Sequence, residues 1–372
     1  MHGPGEEAGA RWIRFLAGLD PPRRRLALAA MDPARWLSLG IRILAGEEEL
    51  RCASALVAED PDPRRWRGAE AAAQDALEYL ETLGGWIRVP GDAAWPASLD
   101  CGAEPVGILV GRGVVPPGRG LAVVGTRGSS AEGDELAGAL AAAWVREGGW
   151  VVSGGALGID AAAHRGALAA GGRTVVVAGT GLGHPYPHRH RSLFARVERS
   201  GAVVSEYPPT FPGRPWSFLK RNRIVAGFAA VVVVVEAPPR SGALSTARFA
   251  LKSGRKVLTV PGKPGRERSE GARRLLSEGA LPLRGPEDLP GTREVPARQN
   301  REVSPRPPWP DGIGRRVLEI LEPGVDGRHL DDIGRRAALT PGELGAALLE
   351  LELEGLVEEL GAGRFRRTPD HW

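Results

Sequence analysis

The feature that most constrains this chain is a set of six short apolar runs, most of them rich in valine, at 121–124, 150–152, 174–177, 202–204, 229–235 and 256–260. None alternates strictly with polar residues, so these segments suit burial on both faces. Between them, 132–147, 161–170, 190–199 and 246–252 carry apolar residues at helical spacing. Near-continuous strands alternating with helices make a parallel sheet covered on both sides. The pattern predicts an α/β fold, a Rossmann-like doubly wound parallel sheet over roughly 105–283.

Glycine-bearing turns follow these strands. They read Gly125-Thr126-Arg127-Gly128, Ser153-Gly154-Gly155 and Gly179-Thr180-Gly181, and Ser241-Gly242-Ala243 precedes the helix at Thr246. Glycine lets a backbone approach a ligand closely, and free amides at a helix start attract an anion. Such turns converge at the C-terminal edge of an open sheet, where ligands bind. Gly125, Thr126, Ser153, Gly154, Gly181, Ser241, Gly242 and Thr246 are therefore the expected lining of an anion or phosphate pocket, with Arg127 as a charge-assisted partner. The first turn lacks a full Gly-x-Gly-x-x-Gly, so a dinucleotide site is weakly indicated. No glycine loop runs into Gly-Lys-Ser/Thr, so the ATPase phosphate loop is absent.

One stretch points to a partner. Residues 211–223 read Phe-Pro-Gly-Arg-Pro-Trp-Ser-Phe-Leu-Lys-Arg-Asn-Arg, with no carboxylate among them. Cations track a phosphate backbone and aromatic faces stack on unpaired bases, so this composition suits single-stranded nucleic acid. The expected contacts are Arg127, Arg214, Trp216, Phe218, Lys220, Arg221, Asn222 and Arg223. The alternative is a solvated loop whose aromatics plug the core. The net charge of +4 tolerates a polyanion without demanding one.

The remaining chemistry is sparse. Asp160 and His164 share a helix face. Asp160 reads as a helix N-cap and His164 as a packing or hydrogen-bonding residue, with a catalytic pair as the alternative. His184, His188 and His190 are splayed by Pro185 and Pro187, and no carboxylate or thiolate joins them, so no metal or other cofactor is expected. Cys52 and Cys101 have no metal-type spacing and read as reduced thiols. The N-terminus lacks an apolar signal core, and the longest apolar run, 226–235, is far short of the ~20 residues that span a bilayer. A soluble cytoplasmic protein is expected.

Four regions follow from the patterns: a helical N-terminal domain at 1–84, the Rossmann-like domain with its N-terminal extension at 85–283, a Pro-rich linker at 284–310 and a winged helix at 311–372. The last rests on helical patterns at 312–321, 330–338 and 340–360 and a hairpin wing at 361–367. The third of these helices carries Glu343, Glu350, Glu352, Glu354, Glu358 and Glu359 and no Lys or Arg. Such a helix is repelled by phosphates, which leaves Arg364, Arg366 and Arg367 of the wing as the only duplex contacts. The unit is expected to pack on a protein partner, or beside the basic stretch in competition with DNA. Its removal is expected to leave single-strand affinity nearly unchanged, or to raise it in the second case.

Together these residues resemble the DNA-processing protein DprA (Smf) family. The resemblance covers the whole chain and is densest over 123–280. It is carried by Val-Gly-Thr-Arg at 124–127, Ser-Gly with Gly-Ile-Asp and Ala-Ala-His within 153–164, and Gly-Thr-Gly-Leu with Tyr-Pro within 179–187. It continues through Ser-Glu-Tyr-Pro-Pro at 205–209, Arg-Asn-Arg-Ile at 221–224, Val-Glu-Ala at 235–237 and Ser-Gly-Ala-Leu-Ser-Thr-Ala at 241–247. Gly-Arg-Lys-Val at 254–257, Val-Pro-Gly at 260–262 and Glu-Gly-Ala at 278–280 complete it. The resemblance implies a non-enzymatic Rossmann-fold protein that binds single-stranded DNA, protects incoming strands and loads the recombinase RecA in natural transformation. It also implies a SAM-like N-terminal domain and a homodimer formed through the Rossmann domain, toward which Leu275 and Leu276 offer one apolar hint. Leu157, Gly183, Leu219 and Arg273 depart from the family pattern, in which Arg, Asp, Pro and Asn are usual, and this weakens any small-molecule role for the pocket. The alternative is a nucleotide-processing enzyme of the broad Rossmann group, such as a phosphoribohydrolase, although the Pro-Gly-Gly-x-Gly-Thr of that group is missing. A third reading, a sequence-specific regulator, is opposed by the acidic helix.

Overall fold

The computed structural model describes residues 63–102, 104, 106–262, 267–290, 312–321, 327–353, 356–361 and 363–367. Most of the expected N-terminal domain, with Cys52, and most of the Pro-rich linker lie outside the described residues.

The chain enters through α1 (Pro63–Thr82) and two strands, β1 (Trp86–Arg88) and β2 (Leu109–Gly113). The α/β alternation then runs β3 (Gly120–Val124), α2 (Ala131–Arg146), β4 (Trp150–Ser153), α3 (Ile159–Ala169), β5 (Thr174–Ala178), α4 (Arg191–Ser200) and β6 (Ala202–Ser205). Two short helices, α5 (Pro215–Lys220) and α6 (Asn222–Phe228), lead into β7 (Ala229–Val234), α7 (Ala243–Lys252), β8 (Lys256–Thr259), α8 (Glu267–Ser277) and β9 (Leu281–Pro282). The strands form one sheet in the order β1-β2-β6-β5-β4-β3-β7-β8-β9. From β6 to β9 the pairs are parallel, while β2 joins β6 and β1 joins β2 antiparallel.

All six valine-rich runs form strands, and their side chains divide between two faces. Ala122, Val124, Val152, Val177, Val232 and Val234 pack with Ile224, Phe228, Leu244, Ala247 and Phe249 from α6 and α7. Leu121, Val123, Val151, Val231 and Val233 face the other way, against Leu140, Trp144, Ile159 and Ala163 from α2 and α3. Each fully buried Val or Leu side chain contributes about 1.5–3 kcal/mol. This double burial holds the sheet between two helical layers, so a ligand reaches it at an edge.

That edge is decided by topology. The chain winds outward from β3 through β4 and β5 to β6, then returns to place β7 on the other side of β3. A crevice opens where the winding reverses, beyond the carboxyl ends of β3 and β7.

The described residues of the C-terminal part form α9 (Ile313–Ile320), β10 (Arg328–His329), α10 (Leu330–Ala337), α11 (Pro341–Leu353), β11 (Val357–Gly361) and β12 (Arg364–Arg367), with sheet order β10-β12-β11. Val317, Leu318, Ile333, Leu344, Leu348 and Leu351 make its core. Three helices and a hairpin wing match the expected winged helix, with one correction. The last helix stops at Leu353, and Glu358 and Glu359 lie on the wing strand β11. The helix is shorter and less acidic than its sequence pattern indicated, because the alternation around Val357 pairs with β12.

Other expectations also change. Residues 211–223 are only in part a loop: 211–214 are irregular, while α5 and the start of α6 occupy 215–220 and 222–223. Leu275 is 1% exposed and belongs to the core, so it is no dimer hint. The described start of the expected linker is docked, with Leu289 fully buried beside α2. Among the described residues no helix is long and apolar enough to cross a membrane, and no cluster of His, Cys, Asp and Glu could hold a metal ion.

Candidate nucleic-acid interface

The crevice at the switch point is a cavity of about 700 Å³, lined by the turns after β3 and β4, by 212–215 and by the segment preceding α7. Three of the four glycine-bearing turns meet there. Gly125, Thr126, Arg127, Gly154, Ser241, Gly242 and Thr246 all line it. Two predicted members do not. Ser153 is fully buried beneath the site, where its hydroxyl donates to the Val123 carbonyl at 2.7 Å. Gly181 lines a separate cavity around Arg112 and Phe194 and packs against the chain at Pro208, whose carbonyl oxygen would lie 2.0 Å from any Cβ at 181.

The floor is a buried charge pair. Arg221 is 5% exposed and lies under the turn after β4. Its Nη1 donates to the Gly154 carbonyl at 2.7 Å and to the Val177 carbonyl, and its Nε donates to Asn222 Oδ1 at 3.2 Å. Asp160 supplies the opposite charge, and its Oδ2 accepts the amides of Gly154 at 3.1 Å and Ala156 at 3.2 Å. Burial pushes the Asp160 carboxyl up from 3.8, against the Arg221 charge and these hydrogen bonds. Burial also lowers Arg221 to about 10, against the pull of Asp160. Gly154 fits between the two, since a Cβ there would sit 2.6 Å from Arg221 Nη2 and 2.8 Å from Asp160 Oδ2. Asp160 is therefore not the N-cap of α3, a place held by Gly158. It orders the turn from inside the first helical turn.

His164, one turn on, shares no hydrogen bond with it. His164 Nδ1 lies 2.7 Å from Thr174 Oγ1, and burial, with the His190 and Arg221 charges adding, lowers its pKa to about 3. It is a neutral core residue.

The other cations of 220–223 are also engaged. Arg223 is buried and paired with Glu206, and its Nε lies 3.5 Å from Glu104 Oε2. Lys220 Nζ is 3.1 Å from the same Glu104 oxygen. Burial opposes both charges, but Glu206 and Glu104 outweigh it for Arg223, as Glu104 and then Glu352 do for Lys220, and both pKa values stay above their ordinary level. Asn222 donates to the Gly242 carbonyl at 3.0 Å and Ser245 Oγ at 2.8 Å, fastening α6 to the start of α7. Arg221 and Asn222 line the cavity and Arg223 does not; all three are buried, because the fold turns them inward and supplies carboxylates that 211–223 lacks.

The rim carries exposed groups. Arg127 and Arg214 are exposed, with no carboxylate partner among the described residues, and Arg240 is 72% exposed. Phe218 lines the cavity, with the Tyr186 ring 5.3 Å away and 47% exposed. Trp216 instead packs on Tyr207 and Phe211, with ring centroids 5.9 and 6.0 Å away. The start of α5 is set by Pro215 in its first turn and by Ser217, whose hydroxyl accepts the Arg214 amide at 2.9 Å and donates to the Gly179 carbonyl at 2.6 Å.

Sequence reasoning missed three groups. Arg240, beside the Ser241 turn, and Tyr186, in the Tyr-Pro of the resemblance, were given no role, and the fold brings both to the rim. Glu236 clamps the Arg127 turn: its carboxylate accepts the Ser130 amide at 2.9 Å and hydroxyl at 2.6 Å, while its carbonyl accepts the Thr126 amide at 2.7 Å. Its signals were its place at the end of the longest valine run and in the Val-Glu-Ala of the resemblance. Gly183, a departure from the expected pattern, also has a physical reason, since a Cβ there would meet Tyr79 Cε1 at 2.3 Å.

Known proteins share this architecture. The family model for DNA recombination-mediator protein A matches residues 86–292, and that for the DprA winged helix domain matches 301–363. A DNA processing protein DprA of Mycobacterium tuberculosis is 36% identical over 351 residues, covering 85% of this chain and 88% of the relative. Protein Smf of Escherichia coli is 36% identical over 262 residues, covering 67% of this chain and 68% of the relative. The X-ray structure of DNA processing protein A from Streptococcus pneumoniae superposes with a TM-score of 0.57 at 26% identity, covering 77% of this chain and 96% of that one. Matched through both its sheet and its winged helix, the chain belongs to the DNA recombination-mediator protein A (DprA, Smf) family.

Proposed function

We propose that the switch-point cavity is a single-stranded DNA site and that this protein is a binding module which delivers strands for recombination. The observation that carries this reading is the rim: Arg127, Arg214 and Arg240 surround a cavity whose wall presents Phe218 and Tyr186. Cations at the mouth hold phosphates, and exposed rings stack on bases that a duplex keeps hidden. Membership in a recombination-mediator family supports the same role. In this proposal the strand is handed to the recombinase RecA during DNA uptake, the protein works in the cytoplasm, and two copies join through the sheet domain so that two rims engage one strand. An enzymatic role has little support, because Asp160 is committed to amides and Arg221, and His164 to Thr174.

The test is a salt-dependent titration with a single-stranded oligonucleotide and the matching blunt duplex. Three rim cations give a slope of log K against log salt of about −2 for a single strand, shallower than the value of about −3 that four cations of 211–223 would give. Preference for the single strand with that slope supports the site, and equal affinity for duplex refutes it.

A further inference from the structure

The winged helix does not stand apart from the cavity. Its helix α11 lies along α5 and touches α7. Gly342 lines the cavity beside Leu219 and Arg240. One turn on, a Cβ on Gly345 would lie 3.5 Å from Leu219 Cδ1. Gly345 thus meets α5 at ordinary contact distance, while a Cβ on Gly342 would have nothing within 4 Å.

One of its carboxylates meets a cation of the mouth. Glu343 Oε1 is 3.9 Å from Arg240 Nη1. Glu352 is attracted by Lys220 and Lys252, which do not line the cavity, and burial pushes its carboxyl above the usual range against that attraction. No Lys or Arg occurs along α11. The helix therefore sets the Glu343 carboxylate beside a rim cation, where a strand would set a phosphate. A phosphate and this carboxylate repel each other, so a strand and the docked helix do not share the mouth.

The contact is also a light one. Arg240 is 72% and Glu343 40% exposed, and ion pairs of that kind add little stability. Glu343 keeps a second set of partners in the docked state, since its Oε2 accepts the Thr340 amide at 3.0 Å and hydroxyl at 2.8 Å. Opening the contact leaves that cap intact.

We propose that α11 is a displaceable cover for the DNA site: the winged helix docks its acidic face on α5 and Arg240, and a single strand binds by displacing it. This inference rests on the reading of the cavity as a DNA site. If the cover is closed about nine-tenths of the time, apparent affinity falls about tenfold below that of the open site. Strand binding and cover docking then weaken each other by the same factor.

The test uses full-length protein and two variants. Gly345→Trp wedges the helix away from Leu219 without changing any charge, and loss of a glycine favours the helix. Glu352→Gln removes the charge attracted by Lys220 and Lys252. Both are titrated with a fluorescent oligothymidylate beside wild type, and a tightening of about three- to tenfold is expected. If both variants melt like wild type and bind no more tightly, the cover is wrong, while the DNA site stands on the wild-type binding. If wild type and variants all ignore the oligonucleotide, the DNA reading fails and the cover fails with it. Hydrogen exchange on wild type gives an answer that needs no variant. Amides of 342–348 must exchange faster at saturating oligonucleotide, and unchanged or slower exchange overturns the proposal.

Discussion

Replacing Arg221 separates a wall of the site from a contact within it. Arg221 is buried, donates to the carbonyls of Gly154 and Val177, and carries the charge that offsets Asp160. Arg221→Ala leaves the Asp160 carboxylate buried without its cation and two backbone carbonyls without their donor. Breaking a buried pair from one side costs about 3–5 kcal/mol. In a domain of this size that is a fall in melting temperature of about 6–20 °C. The loss must depend on pH in a definite direction. Burial already raises Asp160, and Arg221 lowers it, so the variant raises the carboxyl further. A carboxyl whose folded pKa exceeds its unfolded value contributes stability below the unfolded value and loses it as pH rises through the folded one. The deficit of Arg221→Ala against wild type is therefore smallest in acid, below about pH 4, and grows toward neutral pH. Asp160→Asn added to Arg221→Ala removes the stranded charge and recovers part of the loss. The assay is calorimetry across that pH range, with oligonucleotide binding measured on protein confirmed folded. An Arg221→Ala protein that melts within about 1 °C of wild type, less than a 1 kcal/mol loss would shift it, yet no longer binds DNA would show that the guanidinium acts on the strand itself and would refute this reasoning.

The remaining expectations are simpler. Arg127→Ala weakens single-strand binding by about 1.5–3 kcal/mol, tenfold or more, with no change in melting, because the side chain is exposed and its turn is held by Glu236; parallel binding and melting curves check it. Gly154→Ala forces Arg221 and Asp160 apart and lowers melting temperature and affinity together, whereas the same change at exposed Gly128, with nothing within 4 Å of its Cβ, leaves the fold unchanged. His164 stays neutral in the fold down to about pH 3 while the unfolded chain takes up a proton near 6.5. Its contribution is therefore present above 6.5 and is lost as pH falls toward 3. His164→Asn should flatten the melting temperature against pH between 4 and 6.5, as thermal scans would show.

The sheet was legible in the sequence because double-sided burial leaves a local mark. Strands such as Gly120–Val124 and Thr174–Ala178 differ from their expected bounds by a residue or so, since a run of valines between glycine turns has few other ways to fold. The convergence of the turns at Gly125, Gly154 and Ser241 was legible for the same reason, as doubly wound sheets collect such turns at one edge. The antiparallel strand Leu109–Gly113 was not, because its sequence Leu-Val-Gly-Arg-Gly is a strand only by virtue of pairing with Ala202–Ser205. The role of each cation lay beyond the sequence. Within 211–223 the Arg and Lys residues look alike, and no carboxylate is near them in the chain. Only the tertiary structure brings Glu104 and Glu206 to Arg223, sets Asp160 with Arg221, and leaves Arg214 outside with Arg127 and Arg240. Electrostatic pairing acts through space over a few ångströms, and sequence distance carries no record of it. Composition therefore announced a basic site, while the fold decided which charges remain available to a ligand.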